Sequence, residues 1–576
     1  MERKRQILKP DPDKVEGIRR VLKCSPITAR VLANRNIFCE SELVDFFAPS
    51  LNRMRPPFAI KDTDVAVRRI YQAIMGNENI LVFGDYDVDG VTATTIMVEF
   101  LRYAGAGVSY YIPHRTKEGY GLHVDHIQNG MLMEGINLII TVDCGSGSHD
   151  AVEAAQRAGI DVIITDHHKI SENPPRAVAV VNPNRRDCRS KFGHLAGVGV
   201  AFCLLICLRA YLREMNFWVD KPEPNLKQMC DLVALGTIAD MVPLLSENRI
   251  FSKAGLEMIN TGSRPGIKAL MESCRTGDRQ AADQRIGADD LAFRLAPRIN
   301  APGRIDHAGR AVDLLTTSNV DEARRIARDL GIMNSKRQNI EKRILDEIHD
   351  HLAKNPLLLQ NRVLVLVFHG WHEGVLGIVA SRIVERYYRP AVLLSIKGDM
   401  GKGSARSIPG FDLYEGLCAC ASNLEQFGGH SMAAGVKVRV ENIPRFKSDL
   451  EKAVREGTRP EDFVPTTVID MELSFDDISD RLLDELESLQ PFGNGNAEPL
   501  FMARDIDVLS TDIVGGHHRR MSLGQNSGST FRTLNAIQFN IDPDAEMNPR
   551  LERMTFRLRW NRWNGRRHPQ IVVEEL

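Results

Sequence analysis

Between Ile80 and about Leu245, apolar runs of strand length alternate with helical stretches, and three of those runs stop at acids. "NILVFGDYDVD" ends in Asp85, Asp87 and Asp89. "NLIITVDCGSG" ends in Asp143, and "DVIITDHH" in Asp166, His167 and His168. Alternation of this kind predicts a parallel sheet with helices on its faces, because parallel neighbours cannot be joined by a tight turn. The interval from Asp143 to Asp166 suits strand, crossover helix and strand, with "HDAVEAAQRAG" as the helix. The strand C-termini then share one edge, where open α/β sheets bind ligands, so acids and histidines converge there. "LVALGTIADMVPL" adds Asp240 where a helical run ends.

So many carboxylates in one cleft cannot all stay ionised without a counter-charge. Carboxylate oxygens with neutral imidazoles suit Mn²⁺ or Mg²⁺, and several acids suggest two ions that share bridging ligands. Two such ions, about 3.5–4 Å apart, activate water and stabilise an in-line displacement at phosphorus. A lone acidic pair after a strand is usually a solvated turn. Three acidic strand ends in one sheet carry the metal reading, and spacing alone leaves phosphatase, pyrophosphatase and nuclease open.

The chain has 576 residues, too many for one core, and roughly three to four domains are expected. Its formal net charge of -1 excludes a global polycation, so any nucleic-acid surface must be local. Ten scattered cysteines without a CxxC pair suggest neither zinc ribbon nor disulfide scaffold, and a reducing, cytoplasmic setting is expected. The start "MERKRQILKPDPDK" has no apolar stretch behind its basic residues, so no signal peptide is expected. "AGVGVAFCLLICL" falls short of the ~18 residues of a membrane span and reads as a buried helix.

Residues 1–60 have helical patterning. Around 310–355 no proline interrupts a long helical stretch, and Ile340, Ile344, Ile348 and Leu352 recur every fourth residue, as in a helix that bridges two halves. A second α/β segment follows, with strands "RVLVLVFH" and "PAVLLSI" around the helix "GVLGIVASRIVERY". Its dense glycines read as turns. From about 465 the pattern turns to β, with one amphipathic helix near 476–489.

The acidic segments "VFGDYDVDGVTATTI", "TVDCGSG", "TDHH" and "GTIADMVPL" resemble, in this order, the four motifs of the DHH phosphoesterase superfamily. "RLAPRINAPGRIDHA", "WHEGVLGIVASRIVERYYRPAVLL", "GSARSIPGFDL", "FGGHSMAAG" and "LQPFGNGNAEPLF" are similar to its RecJ family of bacterial single-strand-specific exonucleases. The resemblance implies an α/β protein with two α/β domains joined by a long helix, then a C-terminal OB-fold barrel. The expected bounds are an N-terminal segment 1–60, DHH domain 61–315, helix 316–356, DHH-associated domain 357–460 and OB-fold 461–576.

The implied activity is 5′-to-3′ removal of mononucleotides from single-stranded DNA, in recombination and repair, with two Mn²⁺ or Mg²⁺ ions. The implied partners are a single-strand-binding protein and a helicase, and the expected state is a monomer with no membrane attachment. Two alternatives stay open: a phosphodiesterase for short oligonucleotides or cyclic dinucleotides, and a strand-holding subunit that does not cut.

Position by position, the resemblance implies that Asp87, Asp89, Asp143, His167 and Asp240 bind metal, with Asp143 and Asp240 bridging. Asp166 would orient a histidine, and His168 would face the scissile phosphate. DHH pyrophosphatases carry a histidine four residues before the acid matching Asp87, where this chain has Phe83. That departure argues against a pyrophosphatase and leaves one ligand open, for which Asp85 is the expectation.

Phosphate contacts call for forked guanidiniums. "YIPHRTKEGYGL" offers Arg115, which the resemblance puts near the 5′ phosphate, with Tyr120 close by. "NAPGRID" offers Arg304, and "KGSARSIPG" offers Ser404 and Arg406. "FGGH" adds His430, with glycines that admit an anion to the backbone. Cys144 has no evident base and reads as a packed small residue. "TFRLRWNRWNGRRHPQ" interleaves Arg557, Arg559, Arg562, Arg566 and Arg567 with Phe556, Trp560 and Trp563. For the arginines this favours a single-strand surface; the aromatics fit stacking or an ordinary strand core.

Overall fold

A computed structural model describes residues 3–262, 264–274, 285–527, 530–563 and 565–576. The chain divides into two units: residues 56–240 with 254–465, and residues 3–55 with 241–253 and 466–576.

In the first unit, β1 (Asn79–Gly84), β2 (Gly107–Tyr111), β3 (Ile136–Val142), β4 (Asp161–Thr165) and β5 (Ala179–Val181) form a sheet in the order β2-β1-β3-β4-β5. Every pairing is parallel. Register sets Gly84 beside Val142, Val142 beside Thr165 and Thr165 beside Val181. The next residue of each strand is therefore level with its neighbours, and Asp85, Asp143, Asp166 and Asn182 stand in a row on one edge.

Helices α1 (Val88–Ala104), α2 (Gly197–Glu214) and α3 (Cys230–Ala239) pack together beside this sheet. All three are buried on nearly every side. The apolar run around Cys203 is thus a core helix, and among the described residues no helix is long and apolar enough to cross a membrane.

Helix α4 (Ala296–Ile305) leads through a short helix to α5 (Val320–Lys354), 35 residues long and thus about 50 Å at 1.5 Å per residue. Asn319 caps it by accepting from the amides of Asp321 and Glu322. Its first half buries Ala323, Ile326, Ala327 and Leu330. Its second half buries Ile344, Ile348 and Leu352 against Trp371, Leu376, Val379 and Ile383. The second sheet holds β6 (Leu364–His369), β7 (Ala391–Lys397), β8 (Met400–Arg406), β9 (Gln426–His430) and β10 (Ala433–Arg439), in the order β9-β10-β8-β7-β6. Helix α6 (Leu376–Tyr387) crosses between the parallel pair β6 and β7, while the other strands are antiparallel.

Much of the glycine-dense sequence expected as turns is strand here. Gly401 and Gly403 lie in β8, and Gly428 and Gly429 in β9. A Cβ on Gly403 would stand 1.9 Å from the Leu393 carbonyl oxygen, so close strand approach explains that glycine better than a turn does.

In the second unit the N-terminal stretch is not a separate helical segment. Lys4–Ile7 pairs in parallel with Thr466–Ile469, and Ile18, Leu32, Leu43 and Phe46 share a core with Phe475, Leu486, Phe501 and Phe556. Phe501–Val514, His518–Ser527, Thr530–Gln538, Arg566–Glu575 and Arg550–Trp563 pair in that order. The last pairs back to the first, which closes a five-stranded barrel with no free edge. The amphipathic helix α7 is Asp480–Ser488.

Candidate metal centre and phosphate grip

The acids are held by backbone geometry. Asp87 caps α1 by accepting from the Gly90 amide at 3.1 Å. Asp89, in the first turn of α1, accepts from the Gly197 and Val198 amides at the start of α2, at 2.6 and 2.8 Å. Asp143 adopts a left-handed φ of 61°, costly for a side-chain-bearing residue and a mark of imposed orientation. Gly197 makes room for it: a Cβ there would stand 2.3 Å from Asp143 Oδ1.

His167 Nδ1 lies 3.0 Å from the Leu195 carbonyl oxygen. A carbonyl only accepts, so Nδ1 carries the proton and Nε2 presents a bare lone pair. That nitrogen is 3.2 Å from Asp143, and 3.8 Å from both Asp89 and Asp240. Three groups of ligand atoms lie mutually within 4.8 Å: Asp85, Asp87 and Asp143; Asp89, His167 and Asp240; and Asp143, His167 and His168. Asp143 and His167 each belong to two groups, whereas Asp240 belongs to one. His167 Nε2, Asp143 Oδ1 and Asp85 Oδ1 are buried without a hydrogen-bond partner among the described residues. Orphaned acceptors that converge in this way fit divalent cations, which satisfy them without protons.

The electrostatics agree. Burial, then the neighbouring carboxylates, push Asp85 and Asp143 well above the ordinary range. Burial and Asp87 lift Asp89 to about 7; burial and Asp89 lift Asp240 to about 9. Burial, helped by the His168 cation, lowers His167 to about 4 and keeps it neutral. For His168, burial is overridden by Asp166, whose Oδ1 is 2.8 Å from Nδ1, and the ring is held at about 9. His168 is a cation beside a neutral, ligand-type imidazole.

Asp166 is the organiser of this edge, accepting from the Ser146, His167 and His168 amides. Sequence reasoning missed Asn182 and Asn184. Asn182 donates to Ser146 Oγ and the His168 carbonyl; Asn184 donates to the His167 carbonyl. The signal was there in "VVNPN", one more strand end on the same edge. Phe83 is buried on β1 and stacks on Tyr111, and Asp85 sits beside Asp87 and Asp143 as the remaining acid. Cys144 is buried, its thiol pushed up by burial, as a packing residue should be.

The expected phosphate contacts gather beside this edge. The Arg115 guanidinium lies 4.7 Å over the Tyr86 ring, and Tyr120 Oη donates to the Asp143 carbonyl and lies 3.0 Å from His168 Nδ1. Burial lowers Arg304 to about 9, helped by the cations Arg115, Arg337 and Arg406 around it. Burial and then Arg406 lower His430, with Lys169 and His168 also close. On β8, Ser404 and Arg406 flank the position that a Cβ on Gly377 would take. Arg115, Arg304 and Arg406 have no carboxylate partner among the described residues.

The barrel differs. Arg557 pairs with Glu574 and Glu498, Arg559 with Glu498, Arg562 with Glu487, and Arg567 with Asp484. Arg567 also stacks on Trp560, whose Nε1 donates to Asp484. These four arginines are therefore not free cations for a strand, contrary to the expectation for this segment, because α7 and Glu498 bring acids to them. The side chain of Trp563 lies outside the described residues.

A parallel sheet with such a carboxylate edge, joined by a long helix to a second α/β sheet, is the architecture of a DHH protein. The chain matches family models described as "DHH family, N-terminal domain" over residues 79–237, "DHHA1 domain" over 360–456 and "RecJ OB domain" over 469–575. It is 35% identical to the single-stranded-DNA-specific exonuclease RecJ of Bacillus subtilis, over 99% of this chain and 70% of that protein. It is 36% identical to the protein of that name from Salmonella typhimurium, over 100% of both. The crystal structure of RecJ from Thermus thermophilus in complex with Mn²⁺ superposes with a TM-score of 0.81, at 28% identity, covering 99% of this chain and 79% of that one; the complex with Mg²⁺ gives 0.76. The chain belongs to the RecJ family.

Proposed function

We propose that this chain is a single-strand-specific DNA exonuclease that releases mononucleotides from the 5′ end, with two divalent ions, Mn²⁺ or Mg²⁺, at the carboxylate edge. Asp85, Asp87, Asp89, Asp143, His167 and Asp240 would hold the ions, with Asp143, common to two ligand groups, between them. Bound there, the ions supply activation of water and neutralisation of charge at phosphorus. The observation that carries the reading is the set of orphaned ligand atoms on Asp85, Asp143 and His167.

The chain's own residues do the rest. Asp166 fixes the His168 ring through Nδ1, which leaves Nε2–H to face the scissile phosphate and its developing charge. Tyr120 Oη lies 3.0 Å from the same Nδ1 and adds to that hold. Arg115, Arg304 and Arg406, with Ser404 and His430, take the phosphates of the entering strand; three guanidiniums with no ion-paired acid among the described residues make a strong, salt-sensitive anion site. The same reading makes the enzyme a cytoplasmic monomer, fed by a helicase and a single-strand-binding protein that expose the strand.

The test is digestion of strands labelled at either end, single or annealed, with Mn²⁺. Release of single nucleotides from the 5′ end of free strands is expected. Equal attack on blunt duplex, or first release from the 3′ end, contradicts the proposal, and a preference for dinucleotides over long strands favours the oligonucleotide phosphodiesterase.

A further inference from the structure

The middle of α5 holds a buried charged group that the chemistry above does not use. Glu341 is 2% exposed and Arg337 8%. Arg337 donates to Glu341 at 3.0 Å and to Asn334 at 3.0 Å, all on α5. The other oxygen of Glu341 reaches off the helix to Arg382 Nε on α6, at 2.5 Å. A fully buried carboxylate between two guanidiniums is a poor stabiliser compared with apolar packing, so its presence calls for a positional reason.

That reason lies one helix away. The approach to α6 runs between two of the phosphate arginines. Arg304 Nη1 donates to the Gly374 carbonyl, and a Cβ on Gly374 would stand 2.0 Å from the Arg304 carbonyl oxygen. A Cβ on Gly377, in the first turn of α6, would stand 2.8 Å from Arg406 Nη2. Where α6 sits therefore decides how far apart Arg304 and Arg406 are held. Arg337, at the other end of the charged group, is close enough to Arg304 to lower it.

We infer that Glu341 is a positioning residue: by tying α5 to α6 through Arg382 it sets the separation of Arg304 and Arg406 and so the affinity for the strand. This rests on the exonuclease reading, yet its test is separable. A purely electrostatic role and a positional one have opposite signs here. Glu341→Gln removes a negative charge near an anion site, so through charge alone it would tighten strand binding. Through position it weakens binding despite the added net positive charge.

The experiment measures binding of a 5′-phosphorylated oligothymidylate by anisotropy, with EDTA-treated full-length protein, and KM and kcat with Mn²⁺. Glu341→Gln is expected to weaken binding and raise KM about tenfold with kcat little changed, a modest displacement being enough for that. Gly377→Ala, which pushes only the flexible end of Arg406, is expected to act in the same direction without loss of thermal stability. Equal or tighter binding by Glu341→Gln overturns the inference. Should that variant fail to fold, Arg382→Lys, which keeps the positive charge but loses the Nε contact to Glu341 at a half-exposed site, is expected to weaken binding, and an unchanged Kd there overturns it equally. A wild-type protein that binds no strand contradicts the functional reading instead.

Discussion

The sheet edge of the first unit and the barrel of the second both carry dense charge, and they treat it in opposite ways. On the edge, acids stand against acids around an imidazole lone pair, and three nearby guanidiniums have no ion-paired carboxylate among the described residues. In the barrel, Arg557, Arg559, Arg562 and Arg567 are matched one by one with Glu574, Glu498, Glu487 and Asp484. Charge that a fold leaves unmatched is costly and persists where a ligand completes it. Charge that is matched at the surface adds little to stability and attracts a strand weakly. Unmatched charge, more than composition, points to where this protein binds.

The largest effect that would break this comparison is at Asp143. Asp143→Asn should lower turnover at least about a thousandfold, since it removes the acid shared by two ligand groups, and a steady-state assay with Mn²⁺ checks it. Arg406→Ala should come next, with strand affinity lower by about tenfold and a salt slope shallower by roughly one; titration at several salt concentrations reads both. The third concerns stability. In EDTA-treated protein, Asp89 at about 7 and Asp240 at about 9 lie above their unfolded values, near 4. Acids raised in this way contribute stability at low pH and lose it as pH climbs through the folded values. Melting temperature should therefore fall between about pH 5 and pH 9, and added Mn²⁺ should restore more of it at the upper end. The smallest effect belongs to the barrel. Arg562→Gln breaks a surface pair worth about 0–1 kcal/mol, and should change both stability and strand affinity by less than about fivefold in equilibrium terms. A large affinity loss there would return the barrel arginines to the strand-binding surface.

The strand-end acids were legible in the sequence because a parallel sheet forces its C-termini onto one edge, whatever the rest of the chain does. The buried α2 and the long α5 were legible from run length and period. What stayed hidden depended on partners far off in the chain. Nothing in "KRQI" says that it will pair with Thr466–Ile469, so the N-terminal helices could not be assigned to the barrel's core. Likewise Arg562 and Arg567 read as free until α7 brings Glu487 and Asp484 to them. Gly403 read as a turn because glycine signals a demand for space without saying whether a bend or a neighbouring strand makes it. Asn182 was open to the same edge rule as the acids, but a neutral amide draws no attention without its hydrogen bonds.

The claim on which the rest stands is that this edge is built to hold paired divalent ions. Crystals soaked in manganese and measured for anomalous scattering test it most directly. Two peaks are expected among Asp85, Asp87, Asp89, Asp143, His167 and Asp240, with Asp143 touching both. No peak there, with the carboxylates protonated and hydrogen-bonded to one another instead, would contradict it.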